Sequence, residues 1–151
     1  DTTGDSHTSV VTSQKTLEEL TATELVPFQR AIDDGASFIM VGHIALPNIT
    51  GDDVPASLSS RIVTDLLRTQ MGYNGIIVTD AMTAGSITDT YNSDVAAVMA
   101  VNAGVDIILL PADYDTAYNA VLAAVSDGSI SEDRIDESVV RIVKKKLELG
   151  Q

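Results

Sequence analysis

The sequence contains no cysteine and no tryptophan among its 151 residues. Without cysteine there are no disulfide staples and no thiolate metal sites. Two histidines are too few for a multi-histidine zinc site. Cations are scarce: nine Lys and Arg stand against 22 Asp and Glu, a formal net charge of −13. A field of that sign repels a phosphate backbone, so nucleic acid is excluded as a partner. No apolar run approaches the ~20 residues of a membrane span. The sequence has no signal-peptide pattern, though a mature chain would have lost one. A cysteine-free composition suits an exported or cell-surface bacterial protein somewhat better than a cytoplasmic one.

What remains is a packed soluble chain, 44% hydrophobic with a mean hydropathy of +0.16. The length allows one domain at most, with room for a core. The most informative stretch is Gly75-Ile-Ile-Val-Thr-Asp80-Ala-Met. Three β-branched residues follow a Gly, and the run ends on a carboxylate. A near-continuous apolar run predicts a strand buried on both faces, as in a parallel sheet. An Asp at such a strand end either caps the turn or sits at the mouth of the sheet, where parallel α/β folds carry out chemistry.

Residues 38–44 and 105–111 read as two further strands, the first ending near His43 and the second at Pro111. Helical patterns fill the intervals: 23–34, 59–71, 93–103, 114–126 and 132–149. Gly35, Gly72, Gly104 and Gly128 punctuate them, and Ser59 and Ser131 can serve as N-caps. Ile135, Val139, Ile142, Val143 and Leu147 follow helical spacing. Lys144, Lys145 and Lys146 fall where a helix favours cations, and Glu132, Asp133, Asp136 and Glu137 lie towards its start. The alternation predicts βαβ units with parallel strands, so Asp80 should share one rim with the ends of the other two strands. Three strands are too few for a closed barrel, and the polar opening Asp1-Thr-Thr-Gly-Asp-Ser-His-Thr-Ser follows no strand. The expectation is a C-terminal part of something larger.

Several motifs in order resemble one family. Gly4-Asp5-Ser6-His7 resembles the Asp-Ser-His loop of the β-N-acetylglucosaminidase branch of glycoside hydrolase family 3, and Asp1-Thr2 resembles the end of the run before that loop. Met40-Val-Gly-His-Ile is similar to the family's sixth-strand segment. Pro55-Ala-Ser-Leu-Ser59 and Gly72-Tyr-Asn-Gly-Ile-Ile-Val-Thr-Asp80 resemble its most recognisable block. Ala103-Gly-Val-Asp-Ile-Ile-Leu-Leu-Pro111 resembles its last strand. Gly128-Ser-Ile and Arg134-Ile-Asp-Glu-Ser-Val-Val-Arg-Ile142 resemble its closing helix. The resemblance covers nearly the whole chain and implies that 1–151 is the C-terminal half of a (β/α)8 TIM-type barrel. The sequence departs at Ala81, where many members carry a second acidic residue. The family's sugar-binding Lys-His pair, upstream of the Asp-Ser-His loop, has no counterpart because the chain begins too late.

The resemblance implies a retaining exo-β-N-acetylhexosaminidase acting on peptidoglycan-type or chitin-type glycans. Asp80 would be its nucleophile, and His7 its acid/base, oriented by Asp5. From spacing alone, Asp5 and His7 would be ordinary loop residues. Histidine nonetheless has the unperturbed pKa that a proton donor and acceptor needs. No metal or organic cofactor is implied. His43 and Met82 could line the sugar site, though a buried histidine bonded to a backbone carbonyl and a packing methionine are equally natural readings. Asp52 and Asp53 read as a solvated turn, short of the ligands calcium needs. The alternatives are an N-acetylglucosaminide phosphorylase or β-glucosidase of the same family, and a non-catalytic glycan-binding or structural module. The expected partners are a carbohydrate and the missing barrel half. Half a barrel would leave open apolar edges at the 38–44 and 105–110 strands, relieved only by Asp106. Such edges invite self-association, and the Asp5–His7 loop would lose its anchoring strand.

Overall fold

The computed structural model describes Thr2, Gly4, Asp5 and residues 7–150. Asp1 and Ser6, which contribute to the family resemblance, lie outside the described residues. The elements in order are β1 (Val11–Thr12), α1 (Leu17–Ala22), α2 (Leu25–Asp33), β2 (Phe38–Val41), β3 (Ile44–Ala45), α3 (Pro47–Thr50), a 3₁₀ turn (Ala56–Leu58), a wide helix (Arg61–Gln70), β4 (Ile76–Thr79), α4 (Gly85–Thr88), α5 (Ser93–Ala103), α6 (Tyr114–Ser126) and α7 (Glu132–Glu148).

The strands are parallel. β2 pairs with β4 from Phe38↔Ile76 to Val41↔Thr79, and β1 pairs with β3 through Val11↔Ile44 and Thr12↔Ala45. The sequence predicts one strand over 38–44, whereas the structure divides it at Gly42-His43 into β2 and β3. The predicted third strand shrinks to a parallel bridge, Val78↔Ile107. Its backbone remains attached through Thr79 N–H to the Ile107 carbonyl at 3.0 Å and Met82 N–H to the Leu109 carbonyl at 2.9 Å. Leu110 then takes a left-handed backbone, φ +47°, which breaks the strand just before Pro111.

Burial on both faces holds for β4, where Ile76, Ile77 and Thr79 are buried. It fails for β2. Ile39 and Val41 pack in a core with Ile62, Val63, Leu66, Leu67, Ile77 and Ala100, whereas Phe38 and Met40 are half exposed. With side chains alternating along a strand, β2 faces the helices on one side and water on the other.

Two terminal elements escape the sequence reading. α1 has a capping box: the Thr16 hydroxyl accepts from Glu19 N–H at 3.3 Å, and the Glu19 carboxylate accepts from Thr16 N–H at 2.8 Å. β1 supplies Ile44 and Ala45 with their parallel neighbour. The opening loop therefore keeps an anchor within the chain, contrary to the expectation. The wide helix has i→i+5 bonding, with Met71 N–H donating to the Leu66 carbonyl at 2.9 Å.

Asp106 does not protect an edge. Its side chain is fully buried. One oxygen accepts from Ile77 N–H of β4 at 2.9 Å and is paired with Arg68 of the wide helix. The other accepts from the Ser138 hydroxyl at 2.6 Å and from Arg141 at 3.1 Å, both on α7. Arg134 closes the cage, bonding the Val101 and Val105 carbonyls at 3.0 and 2.6 Å. Removing one member of a buried charge cluster costs about 3–5 kcal/mol, because the remaining charges lose their compensation. Asp106→Asn should therefore lower unfolding stability by about that amount in urea titration. Glu137→Gln, which changes an exposed carboxylate 3.5 Å from the outer side of Arg141, should change it by less than about 1 kcal/mol. Equal effects of the two substitutions would show that Asp106 is not the anchor.

Candidate active site

Parallel pairing brings the C-terminal ends of β2 and β4 to one rim. Asp80 follows β4 directly, and its N–H donates to the Val41 carbonyl at 3.0 Å. This bond extends the β2–β4 ladder by one step and holds the residue at the strand end. One Asp80 oxygen accepts from Ala81 N–H at 2.7 Å. The other, Oδ2, lies 3.9 Å from Nε2 of His7. The Asp80 side chain is 24% exposed, so its carboxylate is accessible from the rim.

The His7 loop is a tight turn folded around Asp5. The Asp5 carbonyl accepts from Thr8 N–H at 3.0 Å, and one Asp5 carboxylate oxygen accepts from His7 N–H at 2.9 Å. That same oxygen lies 2.8 Å from His7 Nδ1. A carboxylate two residues back thus fixes the ring in the tautomer with hydrogen on Nδ1 whenever the imidazole is neutral. Nε2 is left to face Asp80. Gly85 N–H of α4 donates to the His7 carbonyl at 2.9 Å, so the loop rests on the element that follows the Asp80 strand.

Electrostatics follow the geometry. The hydrogen bond that His7 Nδ1–H donates to Asp5 raises the His7 pKa above its ordinary value; the charges of Asp5 and then Asp80 add to the effect, against an opposing desolvation. Asp5 is lowered, chiefly by the His7 backbone N–H and then by the ring.

His43 and Met82 point elsewhere. His43 is fully buried, with Nδ1 2.7 Å from the Ser57 hydroxyl and Nε2 3.1 Å from the Ala81 carbonyl. One neutral tautomer satisfies both contacts: Nε2 donates to the carbonyl and Nδ1 accepts from the hydroxyl. Burial lowers its pKa, opposed by the Ala81 hydrogen bond and the Asp80 charge. The ring therefore has no free surface for a sugar, but it fixes the peptide next to Asp80. Met82 is 3% exposed and lines a cavity of about 170 Å³ with Ile87, Tyr91, Ile108 and Pro111. Asp52 and Asp53 are exposed turn residues, and no metal-competent group of His, Cys, Asp or Glu occurs among the described residues. No helix of the described residues is long and apolar enough to cross a membrane.

Ser57 and Gly85 are not singled out by the sequence. Ser57 stands within a block that carries only the family resemblance. Gly85 belongs to none of the motifs or punctuating glycines of the sequence. Only its contact with the His7 loop, 78 positions away in sequence by the residue numbers, gives it a role.

The Glycosyl hydrolase family 3 N terminal domain matches residues 1–145, and the chain belongs to that family. Its fold is the family's TIM-barrel-type α/β fold. The structure of a glycoside hydrolase family 3 β-N-acetylglucosaminidase from Paenibacillus sp. superposes with a TM-score of 0.94 at 40% identity, covering 97% of this chain and 28% of that one. Beta-hexosaminidase A of Pseudoalteromonas piscicida is 33% identical over 171 residues, covering 100% of this chain and 29% of the relative. The β-N-acetylglucosaminidase/β-glucosidase of Cellulomonas fimi is 30% identical over 155 residues, covering 97% and 28%. The chain spans about a third of the length of such relatives.

The two histidines should titrate in opposite directions from the ordinary imidazole value. Followed by NMR, His7 should keep its proton to higher pH and His43 should lose it at lower pH. Asp5→Asn should move the His7 midpoint down, because it removes the main stabiliser of the imidazolium, and leave His43 where it is. A His7 midpoint unmoved by Asp5→Asn would separate the ring from its carboxylate.

Proposed function

We propose that the chain is the C-terminal half of the catalytic barrel of a retaining exo-β-N-acetylhexosaminidase acting on terminal β-N-acetylglucosamine of peptidoglycan-type or chitin-type glycans. The observation that carries this reading is the line Asp5–His7–Asp80: a carboxylate at 2.8 Å behind the imidazole and a second carboxylate at 3.9 Å in front of it. Retaining hydrolysis needs a nucleophile on one side of the anomeric carbon and a proton donor beside the leaving oxygen. Asp80 forms the bond to the anomeric carbon as the glycosidic C–O bond breaks. His7 Nε2–H gives its proton to the departing oxygen. The neutral imidazole then takes a proton from water, which attacks the same carbon and releases Asp80.

The 3.9 Å gap is shorter than the ~5–5.5 Å between catalytic carboxyl groups in retaining enzymes. A sugar bound between the two groups must therefore push them apart. The 65% exposure of His7 leaves the ring free to yield outward.

A second reading has its own support. An imidazole repels an incoming phosphate less than a carboxylate does, which favours phosphorolysis with the same two residues. Sugar release from an aryl N-acetyl-β-glucosaminide by the full-length protein, with and without phosphate, separates the two. In that assay Asp80→Asn should abolish turnover, and His7→Ala should lower it by roughly 10²–10⁴-fold. Near-normal turnover of Asp80→Asn would sink the assignment, and strict dependence on phosphate would select the second reading.

A further inference from the structure

We propose that Gly85 is the positioning residue for the acid/base loop: its N–H holds the His7 carbonyl, and its missing side chain lets the loop backbone lie directly on α4. The inference rests on the reading of His7 as acid/base and adds what determines where that base stands.

The hydrogen bond is 2.9 Å long. Gly85 is the first residue of α4, and the first N–H groups of a helix have no partner within it. The His7 carbonyl takes up one of these otherwise unpaired donors. The steric evidence is independent of the hydrogen bond. A Cβ built at Gly85 would lie 2.7 Å from the Thr8 carbonyl oxygen, 2.9 Å from its carbon and 3.3 Å from the His7 carbonyl oxygen. All three are backbone atoms, so no rotamer change relieves the contact, and the whole loop would have to lift.

Backbone conformation does not explain the glycine. Gly85 is absent from the positive-φ glycines, so its φ is open to any L-residue. A helical φ is also one that alanine adopts without strain. Gly85→Ala should therefore suit α4 and disturb only the loop lying on it. Because the His7 backbone is what lifts, the imidazole shifts relative to Asp80. A displacement near 1 Å at a catalytic group costs about 100-fold.

The test uses the full-length enzyme and kcat/KM for two aryl N-acetyl-β-glucosaminides. A dinitrophenyl substrate leaves without a proton, whereas a methoxyphenyl substrate requires one. Gly85→Ala should lower kcat/KM for the methoxyphenyl substrate by about 10- to 100-fold and leave the dinitrophenyl value near wild type. Partial misfolding removes active enzyme and would reduce both values equally, so equal losses, or no loss, overturn the proposal. His7→Ala is measured in parallel. If it too shows no dependence on the leaving group, the acid/base reading of His7 is what fails. If the variant cannot be purified, amide exchange in the wild type decides. Gly85 N–H has no acceptor within its helix, so protection requires the His7 carbonyl, and exchange at the unprotected rate overturns the proposal.

Discussion

The fold depends on one buried carboxylate. Asp106 joins β4, the wide helix and α7 through an amide, a serine hydroxyl and two arginines. The chain has nine cations in all, and Arg68, Arg134 and Arg141 surround this single acid. The reason is energetic: a fully buried carboxylate is tolerable only when its oxygens are saturated by donors and its charge is met. Arg68 extends the knot by bonding the Tyr73 carbonyl at 3.2 Å and lying 5.6 Å from the Tyr73 ring centroid. The loop entering β4 is thus fixed before the strand begins. In the parallel register, Asp106 lies level with Ile77, three residues before Asp80. At the ~3.3 Å rise of a strand, the anchor sits about 10 Å below the rim. The charges that hold the fold and those that face the rim are therefore at opposite ends of the same strands.

At the rim, two histidines perform contrasting tasks because their surroundings differ. His43 is sealed between Ser57 and the Ala81 carbonyl. Burial favours its neutral form, and the neutral form is the one whose donor and acceptor match these partners. His7 lies in the open between two carboxylates, which favours its charged form. One ring, favoured in its neutral form, orders the peptide beside Asp80, and the other, favoured in its charged form, stands open to the rim.

Local patterns in the sequence predict α5 and α6 with their observed bounds, β4, and the strand-end position of Asp80. These depend on β-branching, glycine stops and helical spacing, which are properties of neighbouring residues. The features that sequence missed depend on distant residues. The 105–111 run has the composition of a strand, yet its backbone follows Leu110 and a hydroxyl–amide bond from Leu109 to Thr79 at 3.0 Å rather than a full ladder. Val11 and Thr12 are too short a run to read as a strand, and they become one only because Ile44 and Ala45 offer an edge. Asp106 looks like an isolated charge in an apolar run. Its role becomes visible only once α7 brings Arg134, Ser138 and Arg141 around it. Gly85 is legible only as a contact surface. Asp5 and His7 stand between these cases: their spacing allows the bond, but only the family resemblance singles it out in the sequence.

Under the proposed mechanism, the same charges also account for the change of His7 from acid to base. Asp5 and Asp80 both raise its proton affinity, Asp5 by direct hydrogen bond and Asp80 across the 3.9 Å gap. When Asp80 becomes esterified to the sugar, its negative charge disappears and with it one of the two supports for the imidazolium. At that moment His7 has given its proton to the leaving oxygen, and the weaker field helps it to remain neutral as a base. When water releases the sugar, the Asp80 charge returns and draws a proton back onto His7. A carboxylic acid in that position would respond in the same sense, but it would carry a negative charge towards the nucleophile in its base form. Imidazole carries none, so it sets no like charge against Asp80 in either step; it is held by Asp5 on one side and by the seat of its loop on the other.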